Sequence, residues 1–153
     1  MAANPLSEQS FLSQMEKIPE VVERAQLIAL EKAAILLVAD CKEEVGTYQR
    51  ANMGHLPPWD ELAISTKQDR LARGFSENEP GLRTGEMRAL YSSYIEDGSK
   101  VIIGNPDVVA KWFEEGTMKQ PPRPVIATAL FRKEHSITKK IAKKITEIAG
   151  LKE

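Results

Sequence analysis

The sequence predicts an α+β fold: a long N-terminal helix and C-terminal helices pack on a small antiparallel sheet, with a long loop or arm at 46–84. Three features carry that prediction. From Glu20 to Val45 there is no Gly or Pro, and Ile18, Val22, Ala25, Ala29, Ala33, Leu36 and Leu37 recur at helical spacing. Asp97-Gly98 is a tight-turn signal between two short runs of strand-forming residues. Towards the C-terminus, Ile137, Ile141, Ile145 and Ile148 draw a single apolar stripe along a helix. At 153 residues the chain fits one domain, 1–153, of which 1–19 is an N-terminal extension.

Taken in order, Leu6, Phe11, Leu12, Met15 and Ile18 predict a short amphipathic helix with Ser7 as its cap. Pro19 is expected to break it or to sit in the first turn of the next helix. That second helix, 20–45, is roughly 39 Å long at 1.5 Å per residue. Its middle, Ala33 to Ala39, is apolar on nearly every face, which predicts burial on two sides, within the fold or against a neighbouring subunit. Gly46 is a natural stop. Residues 46–84 are dense in breakers, among them Asn52, Gly54, Pro57, Pro58, Gly74, Pro80 and Gly81, with Ser65 and Thr66 placed to cap a short helix through Leu71. A segment so long and so poor in periodicity predicts an arm or insertion that orders on assembly.

Thr84 is placed to cap a helical turn with Met87 and Leu90 facing inward. Tyr91 to Glu96 and Lys100 to Gly104 then form a hairpin, and Asn105-Pro106-Asp107 opens a helix that Gly116 ends. Pro121-Pro122-Arg123-Pro124 must be extended, because a residue preceding proline avoids helical angles. The remainder is helical, either as two helices with Ser136 capping the second or as one, ending at Gly150.

Composition narrows the function. No apolar run approaches the ~18 residues needed to span a bilayer. Met1 to Pro5 lacks the basic start and apolar block of a secretory signal, and Cys41 is the single cysteine, so the expectation is a buried thiol in a chain made and used in a reducing cytoplasm. Charge is unevenly spread. Residues 119–153 carry nine Lys or Arg against Glu134, Glu147 and Glu153, a net +6, so the rest carries −7 within the total of −1. Such asymmetry suits an acidic partner surface or a nucleic acid. Lys139, Lys140, Lys143 and Lys144 are expected opposite the isoleucine stripe, where phosphate neutralisation would be salt-dependent and sequence-blind. No aromatics are interleaved for base stacking, and lysines on the polar side of a helix are what solubility alone selects. A solvated or protein-facing role is the stronger reading.

Catalytic chemistry finds no foothold. The glycines are scattered rather than gathered in a phosphate-binding turn. His55 and His135 are far apart and lack cysteine partners for a metal. Ser65, Ser76 and Ser136 have no nucleophile setting, and Asp60-Glu61 and Glu114-Glu115 are paired only in sequence. The expectation is a non-enzymatic protein with no cofactor and no metal. Two aromatic sites point to contacts instead. Trp112 and Phe113 are adjacent on a helix, so one should enter the core while the other can anchor a subunit contact. Trp59 follows two prolines in the loop and must bury its ring either locally or on a partner.

The order of four segments is telling: Trp59, Leu62, Ser65 and Thr66; then Leu82, Thr84, Gly85, Met87 and Arg88; then Trp112-Phe113-Glu114-Glu115-Gly116-Thr117; then Pro121-Pro122-Arg123-Pro124. This series resembles the virion-morphogenesis or tail-completion families of tailed bacteriophages, over about half the chain. Met87 stands where the families usually have leucine, and Val125 where phenylalanine is usual. The first 20 residues lie outside the resemblance. It implies a structural protein of the neck or tail end, made in the host cytoplasm and carried in the virion. It would form a ring with copies of itself, by analogy of six subunits, between the head connector or head-completion proteins and the tail tube. DNA would pass through the lumen. The alternatives are a tail-terminator ring and, from another class, a small DNA-binding accessory protein using the basic C-terminal helix. Candidate interface or motif residues are Trp59, Leu62, Thr66, Thr84, Gly85, Arg88, Trp112, Phe113, Gly116, Thr117, Pro122, Arg123 and Pro124.

Overall fold

The computed structural model describes residues 8–49 and 53–148. The proposed cap Ser7, the loop residue Asn52 and the stop Gly150 lie outside them. The fold is α+β: two long helices pack antiparallel, and a two-stranded sheet and three shorter helices gather at one end of the pair.

Helix α1 runs unbroken over Glu8–Glu44 with Pro19 inside it, so the expected break at Pro19 does not occur. A proline within a helix removes one N–H and crowds the carbonyl four residues back, here that of Met15. Around Pro19 the helix is exposed, and water can satisfy that carbonyl. Beyond residue 24, Ala25, Ala29, Ala33, Leu37 and Cys41 recur at every fourth position, and all are buried. The small side chains in this row let α5, Ile126–Ile148, approach closely. α5 is a single helix with Ser136 exposed in its middle, and Ile137, Ile141, Ile145 and Ile148 are its half-buried stripe. Ion pairs of Lys133 with Asp40 (3.3 Å) and Arg132 with Glu44 (2.8 Å) fix the antiparallel register. The two-sided burial expected at Ala33–Ala39 is one-sided within this chain. Ala33, Ala34 and Leu37 face inward, while Ile35 is 65% exposed and Leu36 is exposed as well.

The loop 46–84 contains α2, Ile64–Ala72, and is tied to the body rather than standing off it. Neither Ser65 nor Thr66 caps α2. The helix starts at Ile64 with Ala63 at its cap position, and both hydroxyl residues lie exposed within it. The short helix α3, Glu86–Ala89, likewise has Gly85 rather than Thr84 at its cap, with Gly85 at φ 88°. Met87 is buried as expected, but Leu90 is exposed. The hairpin of β1, Ser92–Glu96, and β2, Lys100–Gly104, pairs Ser92 with Gly104 and Glu96 with Lys100. Asp97 and Gly98 both take positive φ at its turn, which is why that dipeptide marked it. Asp107 caps α4, Val108–Glu115, by accepting from the Val109 N–H at 2.9 Å.

The core joins Leu37, Cys41 and Val45 of α1 to Trp59, Met87, Tyr91, Ala110, Phe113, Val125 and Ala129. Burial pushes the Cys41 thiol up to about 12, and the nearby carboxylates of Glu114, Asp40 and Glu44 add to it. Because the thiolate is the reactive species, Cys41 is expected to resist an aromatic disulfide reagent at pH 8 and to react stoichiometrically once denaturant unfolds the chain. Rapid labelling of native protein would show that this end of the core opens readily.

Candidate assembly interface

The four segments singled out in the sequence, spread over residues 59–124, meet around Phe113. Trp59 is buried and packs edge-on against it, with ring centroids 6.3 Å apart at 76°. Its backbone N–H donates to Gln49 at 3.2 Å. The loop does not bury this ring by itself; it carries it across to α4. Gly81 passes so close that a Cβ there would lie 2.8 Å from Met87 and 3.0 Å from the Phe113 ring. The Phe113 carbonyl accepts from the Arg123 N–H at 2.6 Å.

Arg123 is the cross-tie. Its guanidinium is buried and donates to the Asp60 carbonyl through Nε (3.1 Å) and Nη2 (2.9 Å), and to the Glu61 carbonyl (3.3 Å). Pro124 beside it is buried as well. Leu62, half-buried, is held by its own N–H, which donates to the Tyr48 hydroxyl at 3.0 Å. Two residues that sequence reasoning missed complete the frame. Arg70 is buried in α2 and donates to the carbonyls of Ser76 (2.6 Å) and Leu82 (2.5 Å), tying down the second half of the loop. The Glu114 carboxylate accepts from the N–H groups of Val125 (2.7 Å), Ile126 (3.2 Å) and Ala127 (3.0 Å), and so caps α5 from the neighbouring helix. Nothing in the local sequence separates Glu114 from Glu115 or Arg70 from Arg73. The assignment needs the fold.

Gly116 ends α4 at φ 77° and ψ 179°, a backbone region essentially reserved for glycine. A Cβ there would meet the Pro122 backbone nitrogen at 2.9 Å. Gly116→Ala is therefore expected to cost about 2 kcal/mol in stability from backbone strain alone. Equilibrium denaturation checks this, and a loss below about 0.5 kcal/mol would mean that the Gly116–Pro122 turn relaxes freely.

The remaining candidates face outward. Thr66, Thr84, Arg88, Thr117 and Pro122 are exposed, and Trp112 is 47% exposed beside exposed Val108 and Val109. Thr117 shapes the loop that follows, its hydroxyl accepting from the N–H groups of Lys119 (3.2 Å) and Gln120 (3.1 Å). Met118 at the tip of that loop is fully exposed. The Trp112-Phe113 pair thus divides as expected, one ring inward and one outward. The framed motif presents an apolar face of α4 and, on the polar loop that follows, the single exposed Met118.

The basic helix differs from expectation. Lys139 stands opposite the isoleucine stripe as expected, but Lys140, Lys143 and Lys144 also turn towards α1. With Lys32 of α1 they border a groove of about 310 Å³ whose apolar floor is Ala29, Ala33 and Leu36. Glu147, the carboxylate at this groove, is held below the usual range by Lys144 at 2.9 Å, with Lys143 and Lys32 adding to the effect. Among the described residues no cluster of His, Cys, Asp and Glu is suited to a metal ion, and no helix is long and apolar enough to cross a membrane.

No family model, curated protein or solved structure matches this chain.

Proposed function

We propose that this chain is a non-enzymatic ring subunit of the neck or tail end of a tailed bacteriophage, assembled in the host cytoplasm and retained in the virion. One observation carries the reading: among the many large apolar side chains that the described residues leave exposed, two groups lie on separate elements. One is the N-terminal part of α1, with Leu12, Met15, Ile18 and Val21; the other is α4 and its loop, with Val108, Val109, Trp112 and Met118. A chain of this size seldom leaves so many apolar side chains to water unless something covers them. Two different patches on one subunit are what a head-to-tail contact needs, and such a contact closes into a ring or propagates. The convergence of the four motif segments on Phe113 supports the resemblance, since segments remote in sequence act there as one unit.

In this reading Trp59, Phe113, Gly116, Arg123 and Pro124 hold the frame, and Trp112 and Met118 meet a neighbour or an adjacent ring such as the head connector or tail tube. The test is electron microscopy of particles from the phage that carries this gene, with the gene deleted. Filled heads beside separate tails are expected. Overlong tails would make the protein a tail terminator instead. Normal joined particles would overturn the neck assignment.

A further inference from the structure

Helix α1 is longer than the partner that covers it. Its 37 residues run alongside the 23 of α5, whose last described residue, Ile148, lies close to the groove lined by Ala29 and Glu147. Residues 8–24 stand clear as an arm roughly 25 Å long at 1.5 Å per residue. None of the arm's described side chains is buried. Met15, Ile18 and Val22 continue the same helical face that farther along buries Ala25, Ala29 and Ala33. Among the described residues the packing seam therefore runs on past its cover. Beside that stripe Glu16, Glu20 and Glu23 form an acidic edge, and among the described residues none of the three has an ion-pair partner.

The groove between α1 and α5 is the chemical complement. Its floor is apolar, and among the described residues Lys32, Lys140 and Lys143 on its rim have no carboxylate within ion-pair distance. The arm cannot reach its own groove, because both lie on one continuous helix. Ile18 and Leu36 are separated by roughly 27 Å of rigid rise.

We propose that the arm of one copy lies in the lysine-rimmed groove of a second copy, its Met15–Ile18–Val22 stripe on the apolar floor and its glutamates along Lys32, Lys140 and Lys143. This rests on the ring reading for its partner and gives that self-association an address. Pairing of arms about a two-fold axis would bring acidic edges together and leave the groove's cations unmatched. Docking of arm into groove satisfies both sides, and where each copy gives its arm to one neighbour and its groove to another the contact is head-to-tail and leads to a ring.

Sedimentation velocity of the purified full chain tests this with two charge reversals on exposed positions, E16K/E20K/E23K and K32E/K140E/K143E. The wild type is expected to self-associate, and each variant alone to dissociate about 100-fold more readily, since like charges now face each other. Circular dichroism should show each still folded. An equimolar mixture of the two should recover association, because each arm then meets an oppositely charged groove. A mixture no better than either variant alone, or a wild type that stays monomeric at concentrations on the order of 1 mM, overturns the docking. Association lost in the arm variant but untouched in the groove variant also overturns it and places the arm's partner surface outside the groove. As a second readout, cysteines at Ile18 and Leu36 in a Cys41→Ala background should form a disulfide only between copies, and failure to cross-link in an associating protein counts against the docking. A wild type that assembles but ignores both reversals sinks the docking and leaves the ring reading in place. The ring reading stands or falls on the deletion phage.

Discussion

Replacing Trp59 with alanine is expected to cost about 3–5 kcal/mol of stability, the range for deleting a large buried aromatic. At this chain length that lowers the melting temperature by roughly 10 °C or more. The ring is 5% exposed and packs edge-on against Phe113, so its loss removes both the apolar burial and the ring pair. The damage should concentrate in the part of the loop nearest Trp59. Amides of residues 53–63 should exchange faster with solvent than those of α1 and α5, which keep their own seam. The conservative replacement separates two causes. The indole Nε1 is buried without a hydrogen-bond partner among the described residues. Trp59→Phe removes that orphan donor while keeping a ring, so it should cost much less, about 1 kcal/mol. Equal losses for alanine and phenylalanine in chemical denaturation would show that the fit of the indole, not apolar burial, sets this site.

The second large effect is expected at Arg123. Its fork spans two successive carbonyls, Asp60 at 3.1 and 2.9 Å and Glu61 at 3.3 Å, from a side chain 4% exposed. A lysine ammonium is a single point and cannot reproduce that geometry. Arg123→Lys is therefore expected to lose about 2–3 kcal/mol, nearly as much as Arg123→Ala, because either change leaves polar groups unmatched in the interior. The measurement is equilibrium denaturation of both variants, with exchange of the Trp59 amide as a local probe, since its bond to Gln49 lies beside the tie. If lysine kept full stability, the aliphatic stem rather than the fork would be what holds Asp60 in place. Both substitutions also bear on the proposed assembly role. They would loosen the frame that presents Trp112 and Met118 without touching either exposed side chain.

The candidate residues separate into these two roles only in three dimensions. Arg123 stood out in the sequence because it interrupts a run of prolines, yet its partners lie 62 and 63 positions away. Glu114 had no mark at all, since a carboxylate near the end of one helix says nothing about capping the next. Trp59 was ambiguous for the same reason. Its loop could not bury it, and the ring that does belongs to α4.

What the sequence determined alone was whatever depends on neighbours within about four residues. Helical spacing set the seam on α1 and the isoleucine stripe on α5, Asp97-Gly98 set the hairpin turn, and Asp107 and Gly116 set the ends of α4. Tertiary structure decided the rest. Pro19 could stay within α1 because that stretch of helix stands in solvent, where a freed carbonyl finds water. The described residues of loop 46–84 became part of the body because Arg70, Arg123 and Trp59 reach from them or into them across long sequence distances. Whether the Met15–Ile18 stripe would be covered depended on how far α5 extends along α1, a matter of relative helix length that no local pattern encodes. Periodicity states which face of a helix is apolar; only the partner's reach decides how much of that face is left for another molecule.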